Sequence, residues 1–114
     1  MTQDQVNYII DNKAIPYPTD EIKLIETHIS WVILSDQYAY KIKKPIEFSF
    51  LNFSTLEKRK EYCEKEVKLN KRLAPAMYLE VLPIKKSNGK YHILGNQGTI
   101  IDYAVLMRRM DETK

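Results

Sequence analysis

This chain of 114 residues is poor in cysteine, histidine and glycine, with one, two and three residues respectively. The single cysteine, Cys63, rules out a disulfide within the chain and suits a reducing compartment. His28 and His92 have no metal-ligand spacing to each other or to Cys63, so we expect no metal site. These shortages exclude the small domains that depend on disulfides or zinc for their stability.

Long apolar runs are also missing. No segment approaches the roughly 20 apolar residues of a membrane-spanning helix, and the polar start MTQDQVNY lacks the regions of a secretory signal peptide. We therefore expect a cytoplasmic protein with no membrane partner. The formal net charge of +3 is compatible with anionic ligands but small for a dedicated nucleic-acid-binding protein, so nucleic acid is not the expected partner.

The apolar pattern predicts an α+β fold in which an antiparallel sheet of about five strands carries one main helix. We assign the whole chain, 1–114, to a single domain, since its length suffices for a hydrophobic core. A short helix and a proline-containing connector occupy 1–18, and the sheet with its main helix at 54–73 occupies 19–107. Residues 108–114 form a polar exit.

Local signals predict where several elements begin and end. Ser54 and Glu57 form a predicted capping box, in which each side chain bonds a backbone amide across the first helical turn. Pro75 ends the helix. The Asn-Gly pair at 88–89 predicts a hairpin turn of a primed type. Residues 46–53, IEFSFLNF, crowd aromatic side chains together and predict an ordered loop.

A predicted hairpin at 30–44 carries the most unusual pattern. Its second strand, Tyr38 to Lys44, alternates, and residues two apart on a strand share a face. Ala39, Lys41 and Lys43 therefore lie on one face, opposite the tyrosines. Lysines on a strand face are commonly only solvated, but a small residue followed by lysines also suits a flat ring and an anion.

Glu66 stands out on the main helix. Winding the helix at 100° per residue places this carboxylate in the middle of an apolar face, whose predicted members are Leu56, Tyr62, Cys63, Val67, Leu69 and Leu73. An inward carboxylate needs a cation or hydrogen-bond donors. The candidate partners are a lysine on the neighbouring sheet, Arg59 or Asn70, and the winding alone does not choose among them.

The order of elements resembles the N-terminal lobe of the protein-kinase-like fold, in which a V-A-I-K lysine pairs with a glutamate of the following helix. Here YAYK, residues 38–41, stands at the V-A-I-K position. More narrowly, the chain resembles an uncharacterised bacterial family of aminoglycoside-phosphotransferase-like proteins, with Ser49 and Asn52 where that family usually has glycine and aspartate. The resemblance rests on THISWVIL, YAYKIKKP, FSFLNFSTLEKR, YCEKEVKLNKRLAP, YLEVLPI and YAVLMRRM.

The resemblance implies an ATP site. Lys41 would contact the phosphates, Glu66 would orient Lys41, and Lys43 is the second choice for the phosphate lysine. The loop before the hairpin would face the phosphates, and it offers hydroxyls and an imidazole in place of glycines, through Thr27, His28 and Ser30. Ala39 would line the adenine pocket, with a hinge at Met107 to Met110.

The same resemblance implies an incomplete enzyme. Its catalytic aspartate and magnesium ligands come from a C-terminal lobe that would follow residue 114, so we assign no catalytic residue here. The expected partners are a nucleotide and that lobe, and a cleft face without its lobe would favour self-association. Two alternatives remain: a single-stranded nucleic-acid-binding module that uses Tyr38 and Tyr40 for stacking, or a protein-interaction module.

Overall fold

The computed structural model describes residues 1–47 and 52–109, which form an α+β fold with a six-stranded antiparallel sheet. The strands lie in the order β1-β2-β3-β6-β4-β5. The helices and strands in chain order are α1 (Gln3–Asp11), β1 (Lys23–Glu26), β2 (Ser30–Leu34), β3 (Tyr38–Lys43), α2 (Leu56–Leu73), β4 (Tyr78–Ser87), β5 (Lys90–Ile93) and β6 (Thr99–Arg108). The predicted class is confirmed, with one strand more than expected. Half of the predicted aromatic loop, residues 48–51, and the part of the polar exit beyond 109 lie outside the described residues.

The β4–β5 hairpin has the predicted turn. Asn88 and Gly89 have φ angles of 53° and 75°, so both central residues adopt the left-handed conformation of a primed turn. The sequence predicts this turn because asparagine and glycine reach positive φ at least cost.

The sheet is covered on both faces. On one face, α1 contributes Val6 and Ile9 to a core that also contains Tyr40 and Ile42 of β3. On the other face, α2 packs Cys63 and Val67 against Val105 of β6. Residues 104–106 of β6 are at most 1% exposed, so this part of the strand is buried on both faces of the sheet.

Helix α2 ends at Leu73 as predicted, but its cap is Thr55 and not Ser54. The Thr55 hydroxyl accepts a hydrogen bond of 3.2 Å from the Lys58 amide. The Ser54 hydroxyl instead donates to Asn52 Oδ1 at 2.6 Å, in the residues before the helix.

The prediction of which residues form the apolar face of α2 is only partly confirmed. Cys63 and Val67 are buried, whereas Leu69 and Leu73 are 61% and 81% exposed. The buried stripe runs through Arg59, Cys63 and Val67, which rotates Leu69 to the side of the helix. Leu73 is the last helical residue.

Candidate functional site on the α2 face of the sheet

One carboxylate on α2 is shared by two lysines of β3. Lys41 Nζ lies 3.1 Å from Glu66 Oε2, and Lys43 Nζ lies 2.6 Å from Glu66 Oε1. Of the partners that the winding left open, the sheet lysines are therefore the ones that bond the carboxylate. The cluster carries a net charge of +1, which suits an anion.

The alternation of β3 produces this arrangement. Tyr40 and Ile42 are fully buried in the core on the α1 side, so Lys41 and Lys43 must project toward α2. In the sheet, Lys41 lies between Val32 of β2 and Val105 of β6.

The two lysines differ in burial. The side chain of Lys43 is 6% exposed and that of Lys41 is 27% exposed. The Lys43 ammonium also lies 5.3 Å from the centroid of the Phe53 ring, within the range of a cation–π contact. Lys43 is therefore held from two sides, while Lys41 keeps a path to solvent.

Burial and charge act in opposite directions on Glu66. Burial raises the pKa of the Glu66 carboxyl, but the hydrogen bond and charge of Lys43, followed by those of Lys41, outweigh it and leave the pKa below its usual value. Glu66 is therefore charged at neutral pH. Burial also raises the pKa of the neighbouring Cys63 thiol to about 12, so this cysteine is a neutral packing residue rather than a nucleophile.

A second ion pair connects α2 to the sheet. Arg59 Nε donates to Asp102 Oδ1 at 3.0 Å, and Arg59 Nη1 donates to the Phe53 carbonyl at 2.9 Å. Asp102 is fully buried and also accepts from the Met1 amino group at 2.7 Å and the Tyr103 amide at 2.8 Å. Arg59 is therefore not the partner of Glu66.

Asn70 is not a partner of the carboxylate either. Its side-chain amide donates to the backbone carbonyl of Glu66 at 2.7 Å. Sequence reasoning missed Asp102, although a single acidic residue in the apolar run TIIDYAVLM was a usable signal.

The predicted phosphate loop is a tight turn between β1 and β2. The Thr27 and Ser30 hydroxyls lie 2.9 Å apart, and the Thr27 hydroxyl accepts from the Ser30 amide at 3.0 Å. Ser30 is the cross-strand partner of Lys43, so the loop adjoins the lysine end of β3. These two hydroxyls already bond within the loop, whereas His28 is exposed.

The predicted adenine residues lie at the other end of β3. Ala39 is paired with Met107 across the β3–β6 ladder, two residues from Lys41 and therefore on the same face. Ala39 is buried and Met107 is partly buried. Met107 and Arg108 belong to β6, while Met110, the end of the predicted hinge, lies outside the described residues.

The sheet face toward α2 thus collects several of the predicted site residues. Ala39, Lys41 and Met107 share it, and Glu66 joins them from the helix. Within 1–47 and 52–109, no group of three or more histidine, cysteine or acidic residues could hold a metal ion. In the same residues, no helix is long and apolar enough to cross a membrane.

Comparison with known proteins gives a short list of relatives. No protein-family model matches the chain, and no solved structure matches it. It is similar to uncharacterised proteins of Mycobacterium bovis and of two Mycobacterium tuberculosis strains, with 40% identity over 73 residues in each case. The match covers 62% of this chain but only 15% of each relative, so the chain spans a small part of their length.

Proposed function

We propose that this chain is the nucleotide-binding lobe of an ATP-dependent phosphotransferase that resembles aminoglycoside phosphotransferases. The observation that carries the proposal is the Lys41–Glu66 ion pair between the third strand and the helix that follows it. Kinase-like enzymes use such a strand-lysine and helix-glutamate pair to hold ATP phosphates. In this proposal Lys41 orients the phosphates and Glu66 orients Lys41.

The surroundings of the pair support a nucleotide. Ala39 and Met107 offer a small and a flexible apolar side chain next to each other, which suits the face of a flat ring. The loop that contains Thr27, His28 and Ser30 adjoins the lysine end of the same strand. A ring at one end and an anion at the other match the two ends of ATP.

The reaction itself needs residues beyond this lobe. In the proposed enzyme a second lobe supplies the catalytic aspartate and the magnesium ligands, because phosphoryl transfer requires both. The lobe alone should then be inactive and should bind ATP weakly, with self-association through its cleft face. We further propose a cytoplasmic location, where ATP and a reduced Cys63 are both expected.

The test is ATP turnover by the longer protein that contains this lobe. Lys41→Met should reduce turnover by at least about 100-fold, as expected when a preorganised charge on the transferred group is lost. Lys44→Met is the matched control, since Lys44 pairs with Glu26 and lies outside the Glu66 cluster. Wild-type turnover by Lys41→Met would exclude the proposed role.

Nucleic-acid binding is less well supported. Tyr40 is fully buried, and Tyr38 stacks on Tyr17 with ring centroids 4.5 Å apart. Tyr40 is therefore not accessible to a base, and Tyr17 already covers one face of Tyr38, although stacking on exposed aromatic rings is the usual basis of single-strand binding. A protein-interaction role remains an alternative for the same chain.

A further inference from the structure

We propose that Lys43 is a positioning residue that holds Glu66 in place while Lys41, still beside Glu66, also binds a phosphate group. This inference deepens the proposed function and rests on it for the identity of the anion. The division of roles between the two lysines rests on the geometry of the cluster, which is independent of any ligand.

The contacts of Lys43 are those of a fixed group. Its ammonium makes the shorter contact with Glu66, 2.6 Å against 3.1 Å for Lys41, and it lies near the Phe53 ring. Its side chain is almost completely buried. Movement of this ammonium toward a ligand would break both contacts, so Lys43 is poorly suited to bind the anion directly.

The contacts of Lys41 are those of a movable group. Its bond to Glu66 is longer, and about a quarter of its side chain is exposed. A lysine side chain is a point charge on a flexible stem, so its ammonium can rotate between two acceptors without a change in the backbone. Lys41 is therefore the lysine that can turn one of its three N–H donors to a phosphate oxygen while it stays beside Glu66.

Charge explains why a second lysine is useful. A cluster of one lysine and one glutamate has no net charge, and a lysine shared with a phosphate would leave the partly buried carboxylate less well paired, which is unfavourable. Here Lys43 stays on the other carboxylate oxygen, so Glu66 remains charged and paired throughout. The cluster then offers one full positive charge to the ligand, which favours a phosphate or polyphosphate group.

The first experiment measures the pKa of Glu66 by carboxyl 13C NMR in wild type, Lys43→Met and Lys41→Met. The two variants are matched, because both remove an ammonium from the same strand face. The other ionisable neighbour, Cys63, stays neutral. We expect Lys43→Met to raise the Glu66 pKa more than Lys41→Met does. An equal effect, or the reverse order, would overturn the positioning role.

Lysine ammonium signals in the wild-type chain provide a measurement that does not depend on the folding of Lys43→Met. We expect the 15N-labelled ammonium of Lys43 to exchange protons with water at least about tenfold more slowly than that of Lys41. The reason is that the Lys43 ammonium is buried, pairs with Glu66 and lies near the Phe53 ring. Faster exchange at Lys43 would contradict its assignment as the fixed group.

The second experiment adds ATP, or tripolyphosphate as a probe without a base, to the wild-type chain. The expected result is a shift of the Lys41 ammonium signal, with the Lys43 signal unchanged. A shift of Lys43 alone would overturn the inference. If Lys41→Met leaves ATP turnover by the longer protein at the wild-type rate, the proposed function fails, while the first experiment still decides the role of Lys43.

Discussion

Removal of either partner of the buried ion pair between Arg59 and Asp102 should strongly destabilise this domain. Arg59 is 7% exposed and Asp102 is fully buried, and the arginine also bonds the Phe53 carbonyl. Removal of one member leaves the other charged and buried, which typically costs about 3–5 kcal/mol. The two single variants and the double variant form a thermodynamic cycle that isolates the coupling between Arg59 and Asp102.

The two single variants should differ in cost. Asp102→Asn removes the negative charge from two cations at once, Arg59 and the Met1 amino group, so we expect about 4–5 kcal/mol. Arg59→Met leaves Asp102 with Met1 and the Tyr103 amide, so about 2–3 kcal/mol is expected. The double variant has no unpaired arginine. It should therefore be more stable, by about 1.5–3 kcal/mol, than the sum of the costs of the two single variants predicts.

Urea unfolding followed by circular dichroism measures these free energies, provided that the slope with denaturant stays constant across the variants. The control cycle uses Glu61 and Lys65, an exposed i,i+4 pair on the same helix. Its coupling should be only about 0.3–0.5 kcal/mol. A coupling between Arg59 and Asp102 no larger than that of this control would refute the reasoning.

Three further predictions concern other parts of the domain. The lowered pKa of Glu66 contributes stability at pH values above the ordinary pKa of 4.5, and this stability is lost as the pH falls through the lower pKa of the folded state. Urea titrations between pH 5 and 3 should therefore show a smaller loss of stability for Glu66→Gln than for wild type. Cys63, with a thiol pKa of about 12, should react with Ellman's reagent only as the domain unfolds, and rapid labelling of the native protein at pH 8 would contradict its burial. Gly98→Ala should destabilise the domain by about 2 kcal/mol or more, because its Cβ would lie 2.2 Å from the Lys86 carbonyl oxygen. The Cβ of the control variant Gly89→Ala would meet no atom within 4 Å, so only its positive φ should matter, at about 1 kcal/mol. Thermal melts of the two variants and wild type compare these costs.

Local features of the fold were predictable from the sequence. The Asn-Gly turn at 88–89, the end of α2 at Leu73 and the alternation of β3 all follow from short-range backbone and side-chain preferences. The inward position of Glu66 follows from helical winding, and the shared face of Lys41 and Lys43 follows from the strand repeat. Each of these needs no knowledge of the remaining chain.

The pairing across the site was not predictable in the same way. Arg59 and Asp102 are 43 residues apart, and only the packing of α2 on β6 brings them together. Alternation places both Lys41 and Lys43 toward α2, but it says nothing about how far each ammonium lies from the helix. The sequence therefore could not show that Glu66 forms an ion pair with both lysines. The exposure of Leu69 depends likewise on how the helix is rotated on the sheet.

The two ion-pair contacts together determine where α2 lies along the sheet. Arg59 and Glu66 are seven residues apart, or about 10 Å along a helix, and Asp102 is three residues from Val105, the neighbour of Lys41, which is also about 10 Å along a strand. The helix carries the positive member of one ion pair and the negative member of the other. Its Arg59 pairs with an aspartate of the sheet, and its Glu66 pairs with two lysines of the sheet. A slide of α2 by one turn, about 5.4 Å, would break both contacts and leave buried charges unpaired. The position of Glu66 beside Lys41 is therefore specified partly by the Arg59–Asp102 contact, two helical turns away. Substitutions at Arg59 should then disturb the Lys41–Glu66 pair, although Arg59 does not contact either residue's charged group.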